Sequence, residues 1–361
     1  MSDWTPEVVK IEKVEKHPFA DTLSIYTVLN DYPVIDKTDK YNVGDLVAYI
    51  PIDTIVPDTE EYYFLCPLNR EQYEENGEIK NRIIGPKYSI GSVPEKYRTI
   101  KAKRIRDIYS QGMLVSAPQG LEIGASVVDI LNLKKAEEEN EDNLPQIKLR
   151  GRNALSPPKG WAIPYYDIDG LRKYVSCLKE DEEVVLTEKL NGSNFSACFD
   201  GEQLWVKSRN FYKRKEETDP WWDAAIRLDL ENKLKNYPML VFFGELVGNV
   251  KKYRYGCGVA NGKLMTTVYF FDVYDIKKGR YLDYDDRVAL ITGLGLSPVP
   301  ELYKGLWLGK EEMYKFAEGK SNLGNHIREG FVLNTRKERY EERMQSRMQI
   351  KLIGEGHNLQ K

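Results

Sequence analysis

At 361 residues the chain exceeds what one hydrophobic core usually serves, so two domains of unequal size are expected. Shares of 41% hydrophobic and 30% charged residues exclude a disordered or collagen-like chain. A formal net charge of −3 excludes a global basic field, so any hold on nucleic acid has to come from local clusters of Lys and Arg.

The opening MSDWTPEVVKIEKVEK lacks the apolar core of a secretory signal, and no stretch approaches the roughly 18 apolar residues of a membrane span. A cytoplasmic protein with no membrane partner is expected. Cys66, Cys177, Cys198 and Cys257 lie far apart and form no CxxC pair, and with only 3 histidines neither a structural zinc nor a disulfide framework is expected.

Residues from about 6 to 130 read as short strands such as VVKIEKV, LSIYTVL and DLVAYIPI between turn signals, with almost no helical periodicity. That pattern predicts a small antiparallel barrel or sandwich, OB-like in one common form. TIKAKRIRDIYSQGMLVS packs Lys101, Lys103, Arg104 and Arg106 into a strand-like run, which suits either a phosphate backbone contact or a solvated edge strand guarded by charge. The acidic segment KKAEEENEDNLP, poor in large apolar residues and ending at Pro145, predicts a linker. The expected boundaries are 1–133 for the barrel, 134–150 for the linker and 151–361 for a second domain.

In that second domain strands and a few helices alternate. EEVVLTEKL, NFSACF and QLWVKSR open it, with a hairpin at Asp200-Gly201-Glu202. Asp219 followed by Pro220 reads as an N-cap and first helical residue, opening one helix through WWDAAIRLDLENKLK. Strands recur at MLVFFGEL, TTVYFFDVYD, EGFVLN and MQIKLI, with helices near 284–292 and 310–318. The fold class is α+β: a small amino-terminal OB-like barrel followed by an antiparallel α+β domain.

No GxxxxGK, GxGxxG, HExxH or GxSxG run is present, so the familiar phosphate cradles, metalloprotease helices and hydrolase elbows are excluded. In TEKLNGSNF, Lys189 closes an apolar strand and is followed by the turn residues Asn191 and Gly192. Alone it reads as a solvated strand end. Further polar residues punctuate apolar strands after it: Ser208-Arg209-Asn210 after QLWVK, Glu245 in LVFFGEL, Phe271-Asp272 in VYFFDVYD, Glu329-Gly330 before FVLN, and Lys351 in MQIKLIG.

This ordered set resembles the covalent nucleotidyltransferase superfamily of ATP-dependent ligases and capping enzymes. EKLNGSNF, SRN, FGEL, FFDVYD, EGFVLN and IKLIG are most similar to the RNA ligase 2 branch, and the amino-terminal part to its subset with an OB-like module ahead of the catalytic domain. The resemblance covers essentially the whole chain. It implies an ATP-dependent RNA ligase joining 3′-hydroxyl and 5′-phosphate ends, at nicks in duplex RNA or RNA-containing duplexes, with no obligate protein partner. Lys189 would be the nucleophile that takes AMP from ATP, which requires its neutral form; partial burial and nearby cations favour that form. Glu188 would contact the adenine amino group, Asn194 and Arg209 would hold AMP phosphate or the RNA end, Glu245 the ribose, and Phe271 would stack on the base. Glu329 would help hold Mg²⁺ or Mn²⁺, and Lys351 would neutralise charge growing on the α-phosphate.

Many relatives place two lysines in the last motif, whereas Gln349 fills the first position here; Arg347 is a neighbour able to supply the missing cation. DNA ligases and capping enzymes typically continue into a carboxy-terminal OB domain, and this sequence stops ten residues after Lys351. That, and KLNG where those relatives have KxDG, favours RNA ligase over a DNA ligase-like enzyme. The remaining rival is a noncatalytic nucleic-acid-binding protein with a relic nucleotidyltransferase domain, which the intact Lys189, Glu245, Glu329 and Lys351 disfavour.

Overall fold

The computed structural model describes residues 4–75, 78–136, 154–216, 218–248, 253–260 and 263–360. They divide into two compact units, 2–138 and 139–360.

In the first unit, period-two alternation builds the strands. Leu23–Val28 buries Ser24, Tyr26 and Val28 while the residues between them stay half-exposed. It runs antiparallel between Lys13–Lys16 and Tyr32–Lys37. A second antiparallel sheet has Leu46–Ile50 between Glu7–Lys10 and Met113–Ser116. Tyr26, Val28 and Val34 of the first sheet share a core with Val9, Tyr49 and Leu114 of the second, so the sheets close on each other as an OB fold. Val8, Ala48 and Ile50 point the other way and pack on Val56, Tyr62 and Ile100 from a long excursion. That excursion carries the 3-10 turn Glu60–Leu65, the hairpin Leu68–Glu75 with Glu78–Pro86, and the short helix Glu95–Arg98.

Two expectations change in this unit. The basic run is not one strand: Lys103–Ile105 and Ile108–Ser110 form a hairpin whose turn residues, Arg106 and Asp107, take φ of 45° and 67°. Positive φ at both centre positions is what a two-residue hairpin loop demands. The first two residues of the expected linker, Lys134–Lys135, pair with Thr54–Ile55 as a strand of this unit. The rest of the 134–150 segment, from 137 onward, lies outside the described residues.

The second unit is built on two sheets. The seven-stranded one runs Ala154–Leu155, Tyr212–Lys213, Leu204–Lys207, Ser193–Phe199, Leu240–Val247, Thr267–Asp275, Arg280–Tyr281, all neighbours antiparallel. The five-stranded one runs Asp169–Gly170, Gln349–Ile353, Gly330–Thr335, Glu183–Lys189, Glu301–Leu306, with only the first pair parallel. Phe195, Phe242 and Phe270 meet Trp221, Trp222 and Leu230 in the core of the larger sheet. Leu186, Phe331, Leu333, Ile350 and Leu352 form that of the smaller.

Asp219 caps its helix as expected, its carboxylate accepting from the backbone N–H of Trp221 (2.9 Å) and Trp222 (3.3 Å). The single helix expected after it is two, Pro220–Arg227 and Leu230–Leu234, because Asp229 adopts φ of 53° between them. The stretch near 310–318 is likewise split into the short helix Lys310–Met313 and the 3-10 turn Tyr314–Ala317. Tyr284–Gly293 is one helix.

Candidate active site

Strand register decides which side chains share a face. Cα pairing sets Thr187 opposite Val332 and Val332 opposite Lys351, while Lys189 lies opposite Gly330. Directly paired residues point to the same side, as do residues two apart. Lys189 and Lys351 therefore project from one face, two strands apart, with the Leu186–Phe331–Leu352 core on the other. Gly330 permits this close packing: a Cβ there would lie 1.9 Å from the carbonyl oxygen of Leu352.

Lys189 Nζ donates to Glu329 Oε1 at 2.6 Å, and both side chains are largely enclosed, at 23% and 11% exposed. The other carboxylate oxygen, Glu329 Oε2, is buried with no hydrogen-bond partner among the described residues. Such an oxygen suits a ligand or cation. No group of three or more acidic, His or Cys side chains able to hold a metal occurs among the described residues.

Glu188, 2% exposed, has the same asymmetry. Its Oε2 accepts from the backbone N–H of Asn322 at 2.8 Å, and its Oε1 is buried and unpartnered. Arg328 holds that Asn322 loop in place, donating to the carbonyls of Phe316 (2.7 Å) and Lys320 (2.9 Å).

The turn after Lys189 is fixed at two points. The Asn191 N–H donates to the Tyr255 hydroxyl at 2.6 Å, and the Gly192 N–H to Glu245 Oε1 at 2.9 Å. Burial pushes the Tyr255 hydroxyl's ionisation well up, so it serves as a neutral acceptor. Any side chain at Gly192 would collide with the Leu246 carbonyl, 2.3 Å from its Cβ position. Asn194 pairs with Glu245 across the sheet, so these two expected residues meet directly.

Phe271 sits at an irregularity. Asp272 pairs with Phe243 and Phe270 with Gly244, leaving Phe271 as an extra residue in its strand. A bulge re-aims the side chain it carries. The half-buried Phe271 ring meets Tyr166 at 5.1 Å between centroids. Arg209 stands apart: it is 49% exposed, pairs with Asp167 at 3.0 Å and lies over the Tyr165 ring, touching no other expected residue through these contacts. Beside it Lys207 is buried, its Nζ donating to the Arg209 carbonyl at 2.7 Å; burial, helped by the Arg209 charge, pushes its pKa down to about 8.

The substitution in the last motif is resolved by a buried polar network that sequence reasoning missed. Gln349 Nε2 donates to the Tyr166 hydroxyl (2.6 Å) and to Asn334 Oδ1 (2.8 Å). Tyr166 in turn donates to Asp272 Oδ2 at 2.7 Å. Arg347 pairs with Asp272 and with Glu338 and lies 3.7 Å over the Tyr281 ring. Fully buried Arg287 completes the set, 3.1 Å from Glu338 and 3.4 Å from Asp272. Burial opposes the Arg347 charge, yet Asp272, Tyr166 and Glu338 outweigh it and hold the guanidinium charged. Arg347 is thus committed to two carboxylates rather than standing in for a missing lysine. Asp272 was visible in the sequence without a role; Tyr166 carried no signal, since its partners Asp272 and Gln349 lie 106 and 183 residues away and leave no local pattern.

Residues 182–353 match the family model of RNA ligase, and residues 6–87 match an OB-fold domain family. No curated protein matches the chain. Among solved structures, a mutant of the Naegleria gruberi RNA ligase with ATP and Mn is similar over 100% of this chain and 99% of its own, at 20% identity and a TM-score of 0.75. A second mutant of that ligase, with AMP and Mn, is similar over 100% and 99% at 20% identity and a TM-score of 0.74. The same ligase with PPi aligns over 99% and 98% at 20% identity and a TM-score of 0.72.

Proposed function

We propose that this chain, which matches the RNA ligase family model over residues 182–353 and an OB-fold domain model over residues 6–87, joins RNA ends with ATP through a lysyl-AMP intermediate at Lys189. The observation that carries this reading is the enclosed Lys189–Glu329 pair at a strand end, with the second Glu329 oxygen buried and unpartnered. The similar Naegleria gruberi structures were solved with ATP and Mn or AMP and Mn, which supports ATP and a divalent cation as the ligands.

In this reading Lys189 Nζ, as the neutral amine, attacks the α-phosphorus of ATP; the N–P bond forms, the bond to pyrophosphate breaks, and the amine's proton passes to solvent. Glu329 would hold a divalent cation, Mg²⁺ or Mn²⁺, whose charge would offset that of the triphosphate. Lys351, on the same face as Lys189, stabilises charge on the α-phosphate. Glu188 Oε1 accepts from the adenine amino group, Phe271 stacks on the base, and Glu245 binds the ribose while holding the Gly192 turn. Asn194 and Arg209 take the AMP phosphate or the RNA end; the exposure of Arg209 suits the second task. AMP then passes to an RNA 5′-phosphate, and a neighbouring 3′-hydroxyl displaces it to seal a nick in a duplex. The segments 1–133 and 151–361 would work as RNA-gripping and catalytic domains joined through the acidic segment.

Incubation with α-labelled ATP and Mg²⁺, after pyrophosphate treatment to strip bound AMP, tests the reading. Wild type should acquire label that survives denaturation and is acid-labile, and Lys189→Ala should acquire none. A folded wild type that stays unlabelled overturns it.

A further inference from the structure

The OB unit carries a surface that the ligase chemistry leaves unused. Between residues 81 and 106 there are eight Lys and Arg against a single acid, Glu95, in a chain whose net charge is −3. Anionic partners are drawn to such a local excess. Aromatic rings are interleaved with it. Tyr88 and Tyr97 lie 5.6 Å apart at an interplanar angle of 37°, and the ammonium groups of Lys87 and Lys96 lie 5.8 Å and 4.9 Å from their ring centroids.

The rings are held from behind. The Tyr63 hydroxyl donates to the Tyr88 carbonyl at 2.5 Å, and Cys66 Sγ donates to the same oxygen at 3.6 Å. The 3-10 turn supplying Tyr63 packs on the Glu95–Arg98 helix, which carries Tyr97, and it presents Phe64 at 70% exposure. A hydrogen bond from Tyr88, followed by the charge of Lys96, makes the Tyr97 hydroxyl more acidic than usual. The chain then runs from Tyr97 directly into exposed Lys101 and Lys103, which extend the basic track.

We propose that Tyr88 and Tyr97 form a stacking platform for unpaired RNA bases, with Lys87 and Lys96 holding the phosphates on either side. Flat rings bordered by flexible ammonium groups recognise single strands without a sequence code, because every base offers a face and every nucleotide a charge. A double helix keeps its bases stacked on one another and would meet only the lysines. The proposal rests on the ligase reading for its choice of RNA, and adds to the nicked duplex an unpaired strand that this unit holds.

Fluorescence anisotropy with the full chain and a labelled single-stranded oligoribonucleotide is the test. Tyr88→Leu with Tyr97→Leu should weaken binding by about tenfold, whereas Tyr88→Phe with Tyr97→Phe should bind as wild type. Lys87→Ala with Lys96→Ala should flatten the dependence of log affinity on log salt by about one unit. All variants should label Lys189 with ATP at the wild-type level, which also certifies their folding. Wild-type affinity in the Leu pair, or equal losses in the Phe and Leu pairs, overturns the platform. So does an equal loss of affinity for heparin, which carries charge without bases. A wild type that binds RNA through these residues but takes no label from ATP overturns the ligase reading alone.

Discussion

Replacing Arg347 by Met tests whether the network behind the site is a structural keystone. Arg347 and Arg287 together balance Asp272 and Glu338, and Asp272 and Arg287 are 0% and 1% exposed. Without Arg347 two enclosed carboxylates share one guanidinium. Breaking a buried pair by removing one partner costs about 3–5 kcal/mol. For a unit of this size that lowers Tm by about 6–20 °C. The deficit should also depend on pH. Burial raises the Glu338 pKa above its ordinary 4.5, and Arg347 pulls it back down. Removing Arg347 lets it climb further. A carboxyl with a folded pKa above its unfolded value costs nothing below the unfolded pKa, and costs progressively more as pH rises towards the folded one. Scanning calorimetry of both proteins at mildly acidic and mildly alkaline pH should therefore show a larger gap at the alkaline end. A fall under about 2 °C, or a gap that does not widen with pH, refutes the argument. Adding Glu338→Gln to Arg347→Met should recover part of the loss, since it removes the charge left without a partner.

Gly330→Ala should cost about 1–3 kcal/mol of stability by urea unfolding, because its Cβ would lie 1.9 Å from the Leu352 carbonyl. It should reduce labelling of Lys189 further than stability alone explains, as the strand carrying Lys351 is pushed off its neighbour. Lys207→Met should remove a pH-dependent component of stability. With its pKa pushed down to about 8 from 10.5, wild-type Lys207 binds fewer protons folded than unfolded across that window, so stability rises with pH there. Thermal scans on either side of pH 8 should show that rise in wild type and not in the variant.

The strands around the site were legible because each is an apolar run with a polar residue at its tip or centre. Lys189, Glu245 and Lys351 stand out against Leu, Val, Phe and Ile, and strand alternation then fixes their faces. Asp219-Pro220 was legible for a local reason, a side chain capping N–H groups two and three residues on. What escaped was decided by tertiary partners or single backbone angles. The positive φ of Asp229 cuts a helix that composition alone would continue, and Arg106-Asp107 folds a basic run into a hairpin. Gln349 read as a weakened motif because its partners are set by tertiary structure: Tyr166 lies 183 residues away, and Asn334 is reached only through strand pairing. Charge counted along the sequence likewise suggested Arg347 as a spare cation, when packing had already engaged it.

The bulge at Phe271 bears on how this strand can vary over generations. Deleting that codon would restore a regular ladder between Leu240–Val247 and Thr267–Asp275, leaving Phe270 and Asp272 on their present partners. Such a shortened chain should fold readily and lack only the ring. If Phe271 stacks on adenine as proposed, length drift here would produce stable proteins that lack that stacking face, and selection against deletions would act through activity and not through misfolding.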